Sequence, residues 1–138
     1  MEESIKIEEA IAKALKLEAV DPRTYSPLVL AYIGDAVYEL LIRTKVINHG
    51  SMQVNKMHKK SASLVKAETQ ANIIKAIQDD LTEEELAVYK RGRNAKSATT
   101  AKHATMIDYR MATGFEALIG YLYLQAQHNR LLELIRDG

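Results

Sequence analysis

No cysteine occurs in the chain, which removes disulfides, thiolate nucleophiles and sulfur-bound metals from consideration. Tryptophan is absent, Phe occurs once, and the remaining aromatics are seven tyrosines. Two prolines and six glycines in 138 residues are too few for a loop-rich or all-β protein. No apolar run is long enough to span a bilayer, and the N-terminal MEESIKIEE is acidic, unlike a signal peptide. The expectation is a cytoplasmic protein without a membrane partner, forming one domain over residues 1–138. What the chain has in quantity is Ala, Leu, Glu, Lys and Ile, mostly good helix formers, and 47% apolar residues, enough for a core.

The net charge of +1 hides a segregated distribution. Residues 40–67 hold no acid but carry Arg43, Lys45, Lys56, Lys59, Lys60 and Lys66. Residues 86–107 hold none either and carry Lys90, Arg91, Arg93, Lys96 and Lys102. Acids gather at 2–9 and 79–85 instead. A surface with one positive side suits a polyanion.

Hydrophobic periodicity predicts six or seven helices and no strand, an all-α helical bundle. A first helix is expected over about 4–19. DPRTYSP breaks the chain, with Ser26 as N-cap and Pro27 at the first helical position of a second helix reaching about Ile47. A helical stretch over 52–77 has a weak point near 66–68. Thr82 and Glu85 have capping-box spacing and open a helix running to about 90–94. RGRNAKSATT reads as a basic loop or frayed end, with Gly92 loosening it. One helix follows from about 108 to 126, and a short last one begins near Asn129.

Two apolar helices each carry an acid at mid-length. In LVLAYIGDAVYELLI, residues 28–42, it is Asp35; in MATGFEALIGYLYL, residues 111–124, it is Glu116. An ionised carboxylate left unpaired in such surroundings costs several kcal/mol. Gly34, Gly114 and Gly120 lie nearby, each costing about 1 kcal/mol relative to Ala inside a helix, and glycine lets another backbone or a ligand come close. If the helices cross so that Asp35 meets Glu116, a divalent cation between them relieves their repulsion. Oxygen ligands without His or Cys favour magnesium or manganese over zinc, and beside basic tracts that points to phosphodiester hydrolysis. The alternative is that Asp35 pairs with a buried Arg or caps something local. Glu39, four residues before Arg43, is better placed for a helical ion pair.

These same segments carry a resemblance. YIGDAVYELLI resembles the signature helix of the ribonuclease III family, FEALIGYLYL its second acidic helix, and SLVKAETQANI the stretch between, so that the likeness spans about 25–124. It implies an all-α endonuclease domain, magnesium dependence, and cleavage of double-stranded RNA leaving a 5′-phosphate and a 3′-hydroxyl. Asp35 and Glu116 match the two central catalytic, metal-binding acids. The usual family member continues into a double-stranded-RNA-binding domain; with the sequence stopping at Gly138, none is expected here. The compact form, with YKRGRNAKS, implies a homodimer of catalytic domains that matures the 23S ribosomal RNA precursor. Three family acids are replaced here, by Leu28, Ala31 and Thr113, so the cation would have fewer protein carboxylates.

A-form RNA is recognised mostly through backbone and shape. Lys90, Arg91, Arg93, Asn94 and Lys96 are the first RNA-binding candidates, followed by Lys59 and Lys60, then Lys102 and His103. On the second helix, Tyr32, Tyr38 and Leu41 are candidates for a dimer surface. Two rival readings are a non-catalytic RNA-binding protein of the same fold and an all-α nucleotide pyrophosphohydrolase. The latter would use clustered Glu, of which TEEEL is the one example, at a helix start expected to be solvated.

Overall fold

The helix that organises the molecule is the second acidic one. The structure, a computed structural model, describes residues 7–48, 53–95 and 106–137. Among these, seven α-helices follow in order: α1 Ile7–Leu15, α2 Pro27–Asn48, α3 Val54–Val65, α4 Ala67–Ile77, α5 Glu83–Asn94, α6 Met106–Leu124 and α7 His128–Asp137. α6 lies at the centre with α2, α5 and α4 packed around it. Phe115, Ala117, Leu118, Ile119, Tyr121 and Leu122 are all buried, which is why this segment is apolar on every side rather than striped.

Local chemistry sets the boundaries. Ser26 Oγ accepts from the Val29 N–H at 3.3 Å, and Pro27 begins α2. Lys66 is extended (φ −71°, ψ 157°), which divides the long stretch after residue 52 into α3 and α4. Lys16, at φ 55°, ends α1 earlier than its apolar periodicity predicts. The capping box at Thr82 and Glu85 is formed, the Thr82 hydroxyl accepting from the Glu85 N–H and the Glu85 carboxylate from the Thr82 N–H.

Three expectations are corrected by packing. Gly92 does not loosen a loop: α5 continues through Asn94, within the expected end at 90–94, and Gly92 is buried against α6. A Cβ on Gly92 would lie 2.8 Å from that of Ala117 and 2.9 Å from the Gly114 Cα, so this glycine permits close helix packing instead of loosening a segment. Tyr38 belongs to the core and not to a dimer surface; its hydroxyl donates to the Leu64 carbonyl at 2.9 Å and its ring meets Phe115 edge-on. TEEEL is not merely solvated. Glu85 is 5% exposed and receives both arms of a bidentate pair from Arg130, each at 2.8 Å, while Arg130 also donates to the Asp80 carbonyl. Burial alone would raise the Glu85 carboxyl, but Arg130 and the Thr82 backbone N–H outweigh it and hold it below its ordinary range. Glu84 accepts from the Tyr121 hydroxyl. Two of the three glutamates are thus committed to joining α5 to α6 and α7.

Candidate active site

α2 and α6 cross at their glycines. A Cβ on Gly34 would sit 1.8 Å from the Glu116 carbonyl oxygen, and one on Gly120 would sit 2.0 Å from the Leu30 carbonyl oxygen. Only hydrogen fits at either point, so the two backbones touch. The residues beside the glycines then meet: Asp35, exposed, and Glu116, half-buried, stand within hydrogen-bonding reach of each other. The juxtaposition proposed from sequence is present.

Its electrostatics are unusual for carboxylates. Burial pushes the Glu116 carboxyl up to about 8, and the charge of Asp35 and a hydrogen bond shared with it push the same way. One contact opposes them: Gln70 Nε2 donates to Glu116 Oε2 at 3.2 Å. Folded protein therefore binds a proton at Glu116 between about pH 4.5 and 8, where the unfolded chain does not. Stability from this group is complete below the lower value and is lost as pH rises through the upper one. The melting temperature of metal-free protein is expected to fall across that window. Asp35→Asn should flatten the fall, because it removes a charge that raises Glu116; thermal melts of both proteins over the same pH series check this.

The surroundings decide which other side chains take part. Glu39 is held by Arg43 at 2.7 Å, the helical pair its spacing predicts. Where the family pattern has further acids, Ala31 is buried, Leu28 is apolar, and the Thr113 hydroxyl turns back to the Tyr109 carbonyl at 3.0 Å. Among the described residues no group of three or more His, Asp or Glu gathers to hold a metal. The two carboxylates still suit a hard cation. They are adjacent and all-oxygen, they are costly to ionise together, and magnesium is commonly held by one or two carboxylates with substrate phosphate completing its shell. Among the described residues no histidine joins the two acids: His128 pairs with Glu8, tying α7 to α1, and His58 lies exposed on α3, while His49 and His103 lie outside the described residues.

The basic candidates divide similarly. Lys90, Arg91 and Asn94 are exposed on the last turns of α5, and Arg93 lies over the Tyr89 ring, 5.7 Å from its centroid. Because Gly92 packs against Thr113, Gly114 and Ala117, this basic helix end adjoins the turn of α6 that bears Glu116. Lys59 and Lys60 are exposed on α3. Lys96 and Lys102, like His103, lie outside the described residues. Gln70 also reaches these acids, through Glu116, and was not among the candidates. Its signal was a polar residue in step with the buried Ile74 and Ile77 of α4.

This fold is that of a ribonuclease III-type endonuclease. Residues 28–127 match the Ribonuclease III domain family. Mini-ribonuclease 3 of Clostridium tetani is 56% identical over 117 residues, covering 84% of this chain and 78% of that protein. Mini-ribonuclease 3 of Brevibacillus brevis is 49% identical, covering 86% and 88%. A crystal structure of a Fusobacterium nucleatum protein superposes with a TM-score of 0.78 at 36% identity, covering 86% of this chain and 94% of that one. The chain belongs to the ribonuclease III family, and within it to the Mini-ribonucleases 3.

Proposed function

We propose that this endoribonuclease cuts double-stranded RNA with magnesium held between Asp35 and Glu116, and that its substrate is the 23S ribosomal RNA precursor. The observation that carries the first part is the pair of adjacent carboxylates at the α2–α6 crossing, one of which holds a proton near neutrality for want of a counter-charge. A divalent ion bound there supplies Lewis-acid stabilisation of the phosphodiester and activation of water. The chain's own part is to present two oxygens at a half-open site, to keep other carboxylates away, and to align the duplex. Manganese fits the same donors. The ribosomal substrate, the 5′-phosphate and 3′-hydroxyl products and a cytoplasmic location follow from the family resemblance. No helix among the described residues is long and apolar enough to cross a membrane.

Duplex binding is assigned to Lys90, Arg91, Arg93 and Asn94 at the end of α5, with Lys59 and Lys60 on α3. Each phosphate contact removed is expected to reduce the slope of log affinity against log salt by about 1. Lys90→Ala combined with Arg91→Ala should therefore flatten the salt dependence of duplex binding; an unchanged slope excludes that helix end.

A homodimer is part of this reading. Tyr32 is 82% exposed at the site-bearing part of α2, and Leu28, Val29 and Leu40 are exposed on the same helix. A groove of about 470 Å³ continues this apolar surface, with Ile7 and Ile11 of α1 and Leu131 and Leu132 of α7 along its walls. Pairing two copies through α2 would bury these groups and set one active centre against each RNA strand. The test is a solution mass together with cleavage of duplex RNA with and without magnesium. Magnesium-dependent cutting by a dimer supports the proposal, and cutting undiminished by chelator defeats it.

A further inference from the structure

We propose that Gln70 is a positioning residue for the cation site, its amide fixing one oxygen of Glu116 from the junction of α3 and α4. The proposal rests on the reading that Asp35 and Glu116 share a divalent ion. Gln70 is 1% exposed, on the first turn of α4. Its Nε2 donates to the Val65 carbonyl at 3.0 Å and to Glu116 Oε2 at 3.2 Å. Val65 is the last residue of α3, and its carbonyl oxygen can only accept. The amide nitrogen must therefore face Val65, which sets the orientation of the whole group and directs its second hydrogen at Glu116. The carboxylate is held by a donor that is itself anchored to backbone.

A purely structural role does not account for this side chain. Gln70 Oε1 is buried and meets no donor among the described residues. An unsatisfied buried acceptor costs about 1–3 kcal/mol. Apolar side chains at this position would avoid that cost and continue the buried surface of Ala71, Ile74 and Ile77. What Gln adds over Leu or Met is the donor to Glu116 and the donor to Val65. In a site where the described residues bring two carboxylates together, the geometry of each weighs more than in one with a larger set. Partners of this kind, one bond removed from a metal, set ligand orientation and affinity.

Gln70→Met keeps nearly the same length and removes the donor; Gln70→Leu does so with a different shape, and both are made so that a failure to fold in one leaves the other. Manganese binding without RNA is measured by calorimetry, and the magnesium concentration for half-maximal cleavage is measured at saturating duplex. Duplex affinity without metal and thermal melts are measured alongside. The expected result is manganese binding weakened about tenfold or more, with a matching rise in the magnesium requirement. Metal-free duplex affinity should stay at the wild-type value. A merely structural residue would move the melt and leave both metal readouts alone. Folded variants that bind manganese and respond to magnesium as wild type does would overturn the proposal while leaving the cation site standing. Manganese binding unaffected by Glu116→Gln would instead remove the cation site, and this inference with it.

Discussion

Glu116→Gln and Asp35→Asn are each expected to slow cleavage of duplex RNA by at least about a thousandfold, equivalent to roughly 4 kcal/mol of transition-state stabilisation. The same changes are expected to raise the melting temperature of the metal-free protein near neutral pH. The two effects have one cause. Glu116 is held up to about 8 by burial and by Asp35, so the native state bears the cost of bringing these acids together. A neutral amide at either position ends the repulsion and also ends the capacity to share a cation. Single-turnover cleavage at saturating magnesium, with melts of the same preparations, reads both quantities. A loss of activity accompanied by a loss of stability would mean that the acids act through folding instead. Cleavage at the wild-type rate would remove them from the chemistry.

The second large effect is expected from Gly34→Ala. In an ordinary exposed helix this change is stabilising by about 1 kcal/mol, because glycine is the poorer helix former. Here the sign is reversed. The added methyl would stand 1.8 Å from the Glu116 carbonyl oxygen, and the obstacle is backbone, which cannot rotate away as a side chain does. α2 and α6 must move apart, opening the core at its most heavily packed contact. The expected loss is about 4 kcal/mol or more, in the range reserved for severe overpacking, out of a total that for most proteins is about 5–15 kcal/mol. Gly120→Ala, with a Cβ 2.0 Å from the Leu30 carbonyl oxygen, should behave alike. Denaturant unfolding of either variant checks this; a variant as stable as wild type would show that the helices do not meet at these glycines.

These glycines also show how far the sequence could be read. An acid and a glycine together, twice, on two apolar helices suggested close backbone approach and paired carboxylates, and both are present. Helix starts at Ser26–Pro27 and Thr82–Glu85 were legible because caps are local chemistry, complete within four residues. What stayed hidden depended on partners distant in sequence. Glu85 looked like one of three solvated glutamates because its guanidinium partner, Arg130, stands 45 positions away. Gly92, among lysines and arginines, looked like a loop residue because its packing partners lie on α6. Tyr38 looked available for a dimer because its position did not reveal that Leu64 and Phe115 enclose it. Gln70 was passed over because an amide has no charge to draw attention, and its importance comes from what it touches.

The α2–α6 crossing is expected to make residues 35 and 116 joint ligands of one divalent cation. Crystals grown with manganese, examined by anomalous diffraction, test it most directly. A peak is expected about 2.1 Å from a carboxylate oxygen of each residue, the ordinary distance for a small hard cation. A peak bound elsewhere, or carboxylates that remain in contact with no metal between them at saturating manganese, would contradict it.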